Sequence, residues 1–258
     1  MTQTKTFNLS IVKKITLAGI ILALTVIFNK VIAINYIPGI PFARVSFGGI
    51  GLIIFSSIVL GPIYGAVVGA GADILGYFIF DMSSFGWFPQ ITLTYLILGI
   101  LPYFIYRLTS LIKSNKVMEI IEYSVFFLVE VFLIIYFILA KDVSVYGSTF
   151  TFPLYVKIIV PCATLLLFSI IIFFNQLIKK RFDLGIEGFN VSQISFIVFV
   201  SEILVNLLFG SLMKAWAFGF DMFFTIILCQ AIVMFFNIPY NTYLIFVIMK
   251  ISKNSLLE

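Results

Sequence analysis

Apolar runs long enough to cross a lipid bilayer recur along the whole chain, and they restrict its fold more than any other feature. A helix needs about 20 apolar residues to cross a hydrocarbon core of roughly 30 Å. The runs comprise residues 15–34, 47–60, 63–80, 91–107, 123–140, 158–178, 194–212 and 220–249. Because 62% of the chain is hydrophobic and only 10% is charged, a water-soluble fold is excluded. We therefore predict an all-α polytopic membrane protein of about eight transmembrane helices, forming one membrane domain over residues 1–258.

Two prolines give the helix boundaries more detail. Gly61-Pro62 should end the short second helix and begin the third, since proline suits the first turn of a helix. Pro239 lies inside the last run, where it should kink or break the helix.

The distribution of basic residues predicts the orientation in the plasma membrane. With both termini in the cytoplasm, the inner loops and helix ends hold 11 of the 16 Lys and Arg residues. Such a bias is typical of cytoplasmic loops. It also accounts for the net charge of +5 without a nucleic acid partner.

Several kinds of chemistry are excluded by missing residues. The chain has no histidine, so it forms neither a Ser-His-Asp triad nor an HExxH zinc site. No Gly-Lys dipeptide occurs, which excludes a Walker A loop, and CxxC pairs and a GxSxG elbow are also absent. We predict a protein that is not an enzyme, with no catalytic residues, metal site or cofactor.

The third run carries a stripe of glycines that ends at an acidic residue. Gly61, Gly65 and Gly69 recur every four residues, Asp73 continues the series, and Gly76 follows. Small residues at this spacing allow another helix backbone to approach closely in lipid, so we interpret the glycines as structural. Asp73 is either a structural cap or a functional group, because a carboxylate at bilayer depth needs a partner.

Aromatic and polar residues gather on the predicted outer side, and both tryptophans are among them. The candidate contacts are Arg44, Ser46, Trp87, Phe88, Gln90, Thr92 and Trp216. They form either an interfacial aromatic belt or, together with Lys30 and Lys214, a pocket for a planar anionic molecule.

The first helix and two isolated carboxylates complete the candidates. Ala18, Gly19 and Ala23 offer a small surface for contact with a second helix, either within the chain or in a partner. Glu130 and Glu202 lie in apolar runs, where each is an ion site or a member of a polar pair.

Three segments together resemble the substrate-binding S component of energy-coupling factor (ECF) vitamin transporters, most closely the folate type. The segments are Arg44-Val-Ser-Phe-Gly48, the stretch from Leu60 to Gly76, and Trp87-Phe-Pro-Gln-Ile-Thr-Leu93. The C-terminal Asn237-Ile-Pro-Tyr-Asn-Thr-Tyr-Leu-Ile-Phe246 is similar to that family's last helix. The folate type usually has an Arg-x-x-Lys pattern where this chain has Gln230 and Val233, and Gly-Phe where it has Gln90-Ile91.

The resemblance implies a receptor that binds a folate-like vitamin at the outer face. It would deliver the vitamin through a transmembrane scaffold subunit driven by two cytoplasmic ATPases, with Gln230 added to the vitamin contacts and Ala18, Gly19 and Ala23 on the docking face. The family has six helices, so residues 118–187 would be an inserted helical hairpin between core helices 1–4 (1–117) and the last two (188–258).

A stand-alone ion-coupled carrier of a small organic solute is the main alternative. In that case Asp73 or Glu202 would bind the coupling ion. Uptake by liposomes that contain this chain alone would distinguish the carrier from the receptor.

Overall fold

The fold is that of a computed structural model, which describes residues 9–33, 47–82, 86–109, 111–112, 114–139, 142–145, 148–151, 153–181 and 191–257. Within these ranges, nine α-helices account for nearly all of the regular structure. They are α1 (Ile11–Lys30), α2 (Gly49–Leu60), α3 (Pro62–Gly76), α4 (Pro89–Thr109), α5 (Asn115–Leu139), α6 (Leu154–Arg181), α7 (Val191–Ser201), α8 (Gly210–Phe218) and α9 (Phe223–Leu257).

Two helical rods contain π-helical segments. Tyr77–Asp81 extends α3 as one π turn, and Glu202–Phe209 joins α7 to α8 as a longer one. A 3-10 turn, Phe220–Met222, precedes α9. The sequence did not predict the π segments, which in other proteins frequently lie at functional sites.

The predicted membrane architecture is confirmed. Six helical rods of the described residues are long and apolar enough to cross a membrane, and Gly49–Leu60 and Lys157–Ile170 are shorter apolar helices. Gly61 separates α2 from α3 at a φ of 99°, and Pro62 begins α3, as expected. Pro239 lies within α9 without ending it, so the predicted break does not occur.

The short helix α2 forms the centre of the bundle. All twelve of its residues are buried, and α1, α3, α4 and α9 pack around it. At 1.5 Å per residue, α2 is about 18 Å long, which is less than the hydrocarbon thickness. Its apolar sequence has no polar face, which is consistent with a helix surrounded by protein on every side.

Helices α5 and α6 form a hairpin on the surface of α7 and α9. Phe126 of α5 is fully buried and meets the rings of Phe168, Phe199 and Phe235 from three other helices. Ser192 and Ser195 of α7 donate hydrogen bonds of 2.6 Å to Glu119 and Glu122, respectively. The hairpin is therefore fixed to the core by aromatic packing and by hydrogen bonds to carboxylates.

A two-stranded antiparallel sheet connects the hairpin helices. Strands β1 (Asp142–Val145) and β2 (Ser148–Thr151) pair with Asp142 opposite Thr151 and Val145 opposite Ser148. Strand β1 also packs against the 3-10 turn and α9. These strands were not predicted, because eight strand residues carry little periodic signal beside two long helices.

Candidate ligand-binding site

Four chain segments meet at one end of the bundle, which we call the Trp87 end. It comprises the C-terminal ends of α1, α3 and α8 and the N-terminal end of α4. Lys30 at the end of α1 forms an ion pair with Asp81, and Phe88 contacts the ring of Phe218, at a centroid distance of 5.0 Å. Lys30 was a candidate cation for an anionic ligand, but this contact gives it a partner within the chain.

A chain of hydrogen bonds at the Trp87 end links three residues that sequence analysis singled out separately. The Trp87 indole Nε1 donates to Thr92 Oγ1 at 3.0 Å, and Thr92 Oγ1 donates to Asp73 Oδ2 at 2.6 Å. Thr92 has one hydroxyl proton, and Asp73 as a carboxylate takes it. Asp73 thereby orients the Thr92 hydroxyl group, which in turn orients the indole ring of Trp87. Trp87 remains 44% exposed.

The glycine stripe brings α3 and α4 into backbone contact. A Cβ atom on Gly65 would fall against the carbonyl oxygen of Gly99, and one on Gly69 against the carbonyl oxygen of Tyr95. The aliphatic part of Lys30 lies where a Cβ on Gly76 would point. The close α3–α4 packing sets the separation of Asp73 and Thr92.

The other predicted ligand contacts occupy different environments. Gln90 Oε1 is buried and accepts no hydrogen bond from the described residues. Trp216 is 59% exposed, and Gln230 is partly buried within α9. The unpartnered oxygen of Gln90 suits a ligand contact, whereas the exposure of Trp216 suits an interfacial belt residue. Arg44 and Ser46 lie outside the described residues.

The small residues of α1 divide between two faces. Ala18 is 7% exposed and belongs to the core, whereas Gly19 and Ala23 are exposed. A Cβ on Gly19 would meet nothing within 4 Å. The structure thus leaves Gly19 and Ala23 on the surface and removes Ala18 from it.

A second group of polar residues lies deeper in the bundle, at the start of the longer π segment. Glu202 is 1% exposed, and it accepts hydrogen bonds from Asn206 Nδ2 at 2.7 Å and from Asn241 Nδ2 at 3.3 Å. Asn241 Oδ1 in turn accepts from the backbone N–H of Gly51 at 3.0 Å. We call Gly51, Asn241, Glu202 and Asn206 the amide relay; it ties α2, α9 and the π segment together.

The amide relay lies near the N-terminal part of α4. Asn206 is one turn away from Gly210, where an added Cβ would approach Thr94 of α4 at 3.2 Å. Asn206 is partly exposed, whereas Leu204 and Leu208 on the opposite face of the rod are exposed. The face of Asn206 is therefore turned away from lipid.

Further buried polar atoms lack partners among the described residues. Ser211 Oγ, Asn237 Oδ1 and Thr242 Oγ1 are among them, and so is Glu130 Oε2 on the hairpin. Glu130 Oε1 accepts from Thr164 at 3.0 Å, which pairs α5 with α6. Within the described ranges, no three Asp, Glu or Cys side chains converge to hold a metal ion.

Comparison with known protein families shows which family this chain belongs to. The family model for the ECF-type riboflavin transporter S component matches residues 9–180, about two thirds of the chain. The chain belongs to this family. Neither a curated protein nor a solved structure gives a match. The match supports the S component and gives no support to the folate type.

The family match and the resemblance overlap over the first four helices of this S component and differ in the rest of the chain. The matched residues 9–180 run through α5 and into α6, which the resemblance to six-helix members treated as an insertion. The assignment of residues 118–187 as an inserted hairpin stays a prediction. Helices α7 to α9, which carry most of the amide relay, lie beyond the match.

Sequence reasoning about this S component missed the amide relay as a unit. Glu202 was considered as an ion site or a member of a polar pair, but neither Asn206 nor Asn241 was identified as its partner. One signal was available: Glu202 and Asn206 are four residues apart, and Asn237 and Asn241 repeat that spacing in the last helix. Pairing between those helices does not follow from spacing alone.

Proposed function

We propose that this S component is the substrate-binding subunit of an ATP-driven importer and that its substrate is riboflavin. The family match carries this proposal, because the matched family is described as a riboflavin transporter component. Riboflavin has a planar tricyclic ring, an imide edge with one N–H between two carbonyls, and a chain of hydroxyl groups. Its recognition requires aromatic surfaces and several neutral hydrogen-bonding groups.

The polar and aromatic side chains of the bundle support a neutral ligand of this kind. The Trp87 end offers the Trp87, Phe88 and Phe218 rings. Buried Gln90 Oε1, Ser211 Oγ and Asn237 Oδ1 have no partner among the described residues. Burial of an unpartnered polar group costs about 1–3 kcal/mol, so ligand hydroxyl or N–H groups at these atoms would be stabilising.

Folate fits these side chains less well than riboflavin does. A folate carries two carboxylates, which need cationic partners in a site of low dielectric. Lys30 is already paired with Asp81. We therefore replace the folate-like ligand with riboflavin.

Partners follow from the same proposal. The S component docks on a transmembrane scaffold subunit through the exposed side of α1 around Gly19 and Ala23, and two cytoplasmic ATPases supply the energy. Its termini face the cytoplasm, and the Trp87 end faces outward. The basic residues at the other end of the bundle, including Arg107 of α4, support this orientation.

Two measurements test the proposal. Purified protein in nanodiscs should quench riboflavin fluorescence on binding, and folate at the same concentration should not compete. Liposomes that contain this chain alone should bind riboflavin without accumulating it. Accumulation under a proton or sodium gradient would favour the ion-coupled carrier instead, and no riboflavin binding would overturn the substrate assignment.

A further inference from the structure

We propose that Glu130 is a proton-binding site within the bilayer, where its carboxyl group is protonated in the folded protein and donates a hydrogen bond to Thr164. The site lies in the α5–α6 hairpin, apart from the Trp87 end and the amide relay. The inference therefore goes beyond the proposed function and does not depend on it.

The depth of Glu130 makes a charged carboxylate costly there. Glu130 is nine residues from the end of α5 at Leu139, and Thr164 is ten residues from the start of α6 at Leu154. At 1.5 Å per residue, both lie about 15 Å from those helix ends, which is roughly half of the hydrocarbon thickness. Glu130 is 1% exposed, so it is shielded from water. An ionised carboxylate at that depth needs a partner that compensates its charge.

The helices around Glu130 bring no such charge to it among the described residues. Helices α6, α7 and α9 pack on α5, and the sequence of α7 contains no titratable residue. The titratable side chains that face this depth from α9 and from α5 itself are Cys229 and Tyr136, which lie close to each other and are not cations. Lys157, the basic residue of α6 nearest in sequence, is about 10 Å along the helix axis from Thr164.

The hydroxyl group of Thr164 already has acceptors in its own helix. Thr164 Oγ1 lies 3.1 Å from the carbonyl oxygen of Val160 and 3.0 Å from that of Pro161. A threonine hydroxyl within a helix commonly donates to such carbonyls, and it has one proton to give. Glu130 Oε1, also at 3.0 Å, is a third oxygen around that one proton. The contact is satisfied when Glu130 supplies a second proton, because Thr164 Oγ1 can then accept it.

The second oxygen of Glu130 agrees with the protonated form. Oε2 is buried and has no partner among the described residues. In a carboxylate this atom would carry half of the negative charge, whereas in a carboxylic acid it is a neutral carbonyl oxygen. Burial without a partner costs far less for a neutral acceptor than for a charged one. Glu202 gives the contrast, since its two oxygens accept from amide N–H groups, which only donate.

A sodium ion is the alternative occupant of this site. Hard cations bind through about six oxygen ligands. Around Thr164 Oγ1 the described residues place one carboxyl oxygen and two carbonyl oxygens of α6. A proton needs only one donor and one acceptor, so we assign the site to a proton.

The test measures the protonation state directly. The full chain is labelled with carbon-13 at the Cδ of its six Glu residues, and solid-state NMR spectra are recorded in liposomes at neutral pH. A protonated carboxyl carbon resonates at a lower chemical shift than a carboxylate carbon, and the Glu130 signal should lie in the protonated range. In protein that is also labelled at Thr, a cross-peak from this carbon to Thr164 Cβ identifies it without any substitution.

Glu130→Gln should remove the low-shift signal that shows the cross-peak. Glu119→Gln is the matched control, since it makes the same substitution in the same helix at a partly exposed position near the helix start, where Ser192 donates to the carboxylate. The control should remove a signal from the carboxylate range. Loss of the low-shift signal in the control, with the signal retained in Glu130→Gln, would overturn the inference. If Glu130→Gln does not fold, the cross-peak in wild-type protein decides the result.

A second measurement separates the proton from sodium. Replacing potassium with sodium at equal ionic strength should leave the midpoint of thermal unfolding unchanged in wild-type protein and in Glu130→Gln. A sodium-dependent rise in wild type alone would show a sodium site and overturn the inference. A Glu130 carbon in the carboxylate range would also overturn it and would make Thr164 the donor. These results do not involve riboflavin binding, so the proposed function stands or falls separately.

Discussion

At the scale of single residues, the hydrogen bonds of Thr92 organise the Trp87 end. Thr92 accepts from the Trp87 indole and donates to Asp73, so one hydroxyl joins an exposed aromatic ring to a carboxylate within α3. The orientation of Trp87 therefore depends on an oxygen atom that a substitution can remove without changing the shape of the side chain.

Thr92→Val should weaken both stability and flavin binding. The substitution removes both hydrogen bonds of the Thr92 hydroxyl, and the loss of a buried hydrogen-bonding group costs about 1–3 kcal/mol. We expect a lower midpoint of thermal unfolding in nanodiscs and weaker riboflavin quenching. Thr16→Val is the control, since the Thr16 hydroxyl is exposed and bonds only the carbonyl of Val12 in its own helix. Equal midpoints for the two variants would contradict this role.

At this scale, sequence reasoning identified Asp73, Trp87 and Thr92 but could not join them. A carboxylate in an apolar helix and a tryptophan near a helix start are visible in the sequence, whereas the distance between them depends on the α3–α4 packing. Glu202 illustrates the same limit. Its cost of burial is evident from the sequence, but its partners Asn206 and Asn241 are assigned only when π-helical geometry and the position of α9 are known.

At the scale of helices, α3 and α4 approach each other closely enough for their backbones to touch. Gly65 and Gly99 lie backbone to backbone, and Ser57 of α2 contacts the same place. Ser57 Oγ also accepts a hydrogen bond from the Tyr103 backbone N–H, whose usual helical acceptor lies one turn earlier in α4. The pairing of α2, α3 and α4 is thus a single three-helix contact.

Gly65→Ala should destabilise this contact. The added Cβ would fall against the Gly99 carbonyl oxygen and within 2.9 Å of the Ser57 Cβ, so a backbone must move. Overpacking of this kind costs about 1–3 kcal/mol. Size-exclusion chromatography after heating would report the loss. Gly19→Ala adds the same atom in open space and should be at least as stable as wild type, because Ala favours a helix more than Gly does. Similar losses in both variants would contradict the role of the Gly65 contact.

The attachment of the α5–α6 hairpin gives a second prediction for helices. Phe126 is fully buried among three other rings, whereas its neighbour Phe127 is 60% exposed. Phe126→Ala should destabilise the protein by about 3–5 kcal/mol, because it removes the ring and leaves a cavity. Phe127→Ala should cost far less. Comparable midpoints of unfolding in detergent for these adjacent substitutions would show that the hairpin is not fixed through Phe126.

At this scale the sequence predicted most of the fold. The apolar runs and Gly61-Pro62 located all eight apolar segments, because the bilayer fixes the length and composition of a spanning helix. Of the two outcomes expected at Pro239, the break does not occur, because α9 continues through the proline, as membrane helices can when neighbouring groups satisfy the freed carbonyl. A kink there stays a prediction. The π segment at Glu202 left no compositional signal.

At the scale of the whole molecule, binding and docking lie on different parts of the bundle. The amide relay and the Trp87 end involve the inner faces of α2, α4 and α9. Gly19 and Ala23 lie on the exposed side of α1. Since α1 packs on α2 and α3 through its opposite face, changes on the exposed side leave the binding residues in place.

This separation predicts that transport can be lost while binding is retained. Gly19→Leu combined with Ala23→Leu adds bulk where a scaffold helix would approach, and small residues are what permit such close contact in lipid. Riboflavin affinity in nanodiscs should stay within twofold of wild type. ATP-dependent uptake by liposomes that also contain the scaffold and ATPase subunits should be abolished, because the S component no longer docks.

The control places the same bulk on another lipid-facing surface. Ala163→Leu lies on the exposed face of α6 in the hairpin and should leave both binding and uptake unchanged. Full uptake by the α1 double variant would remove Gly19 and Ala23 from the docking surface. If Ala163→Leu instead lost uptake while its riboflavin affinity stayed unchanged, the α5–α6 hairpin would lie at the scaffold interface, because the added side chain would affect docking without affecting the binding site.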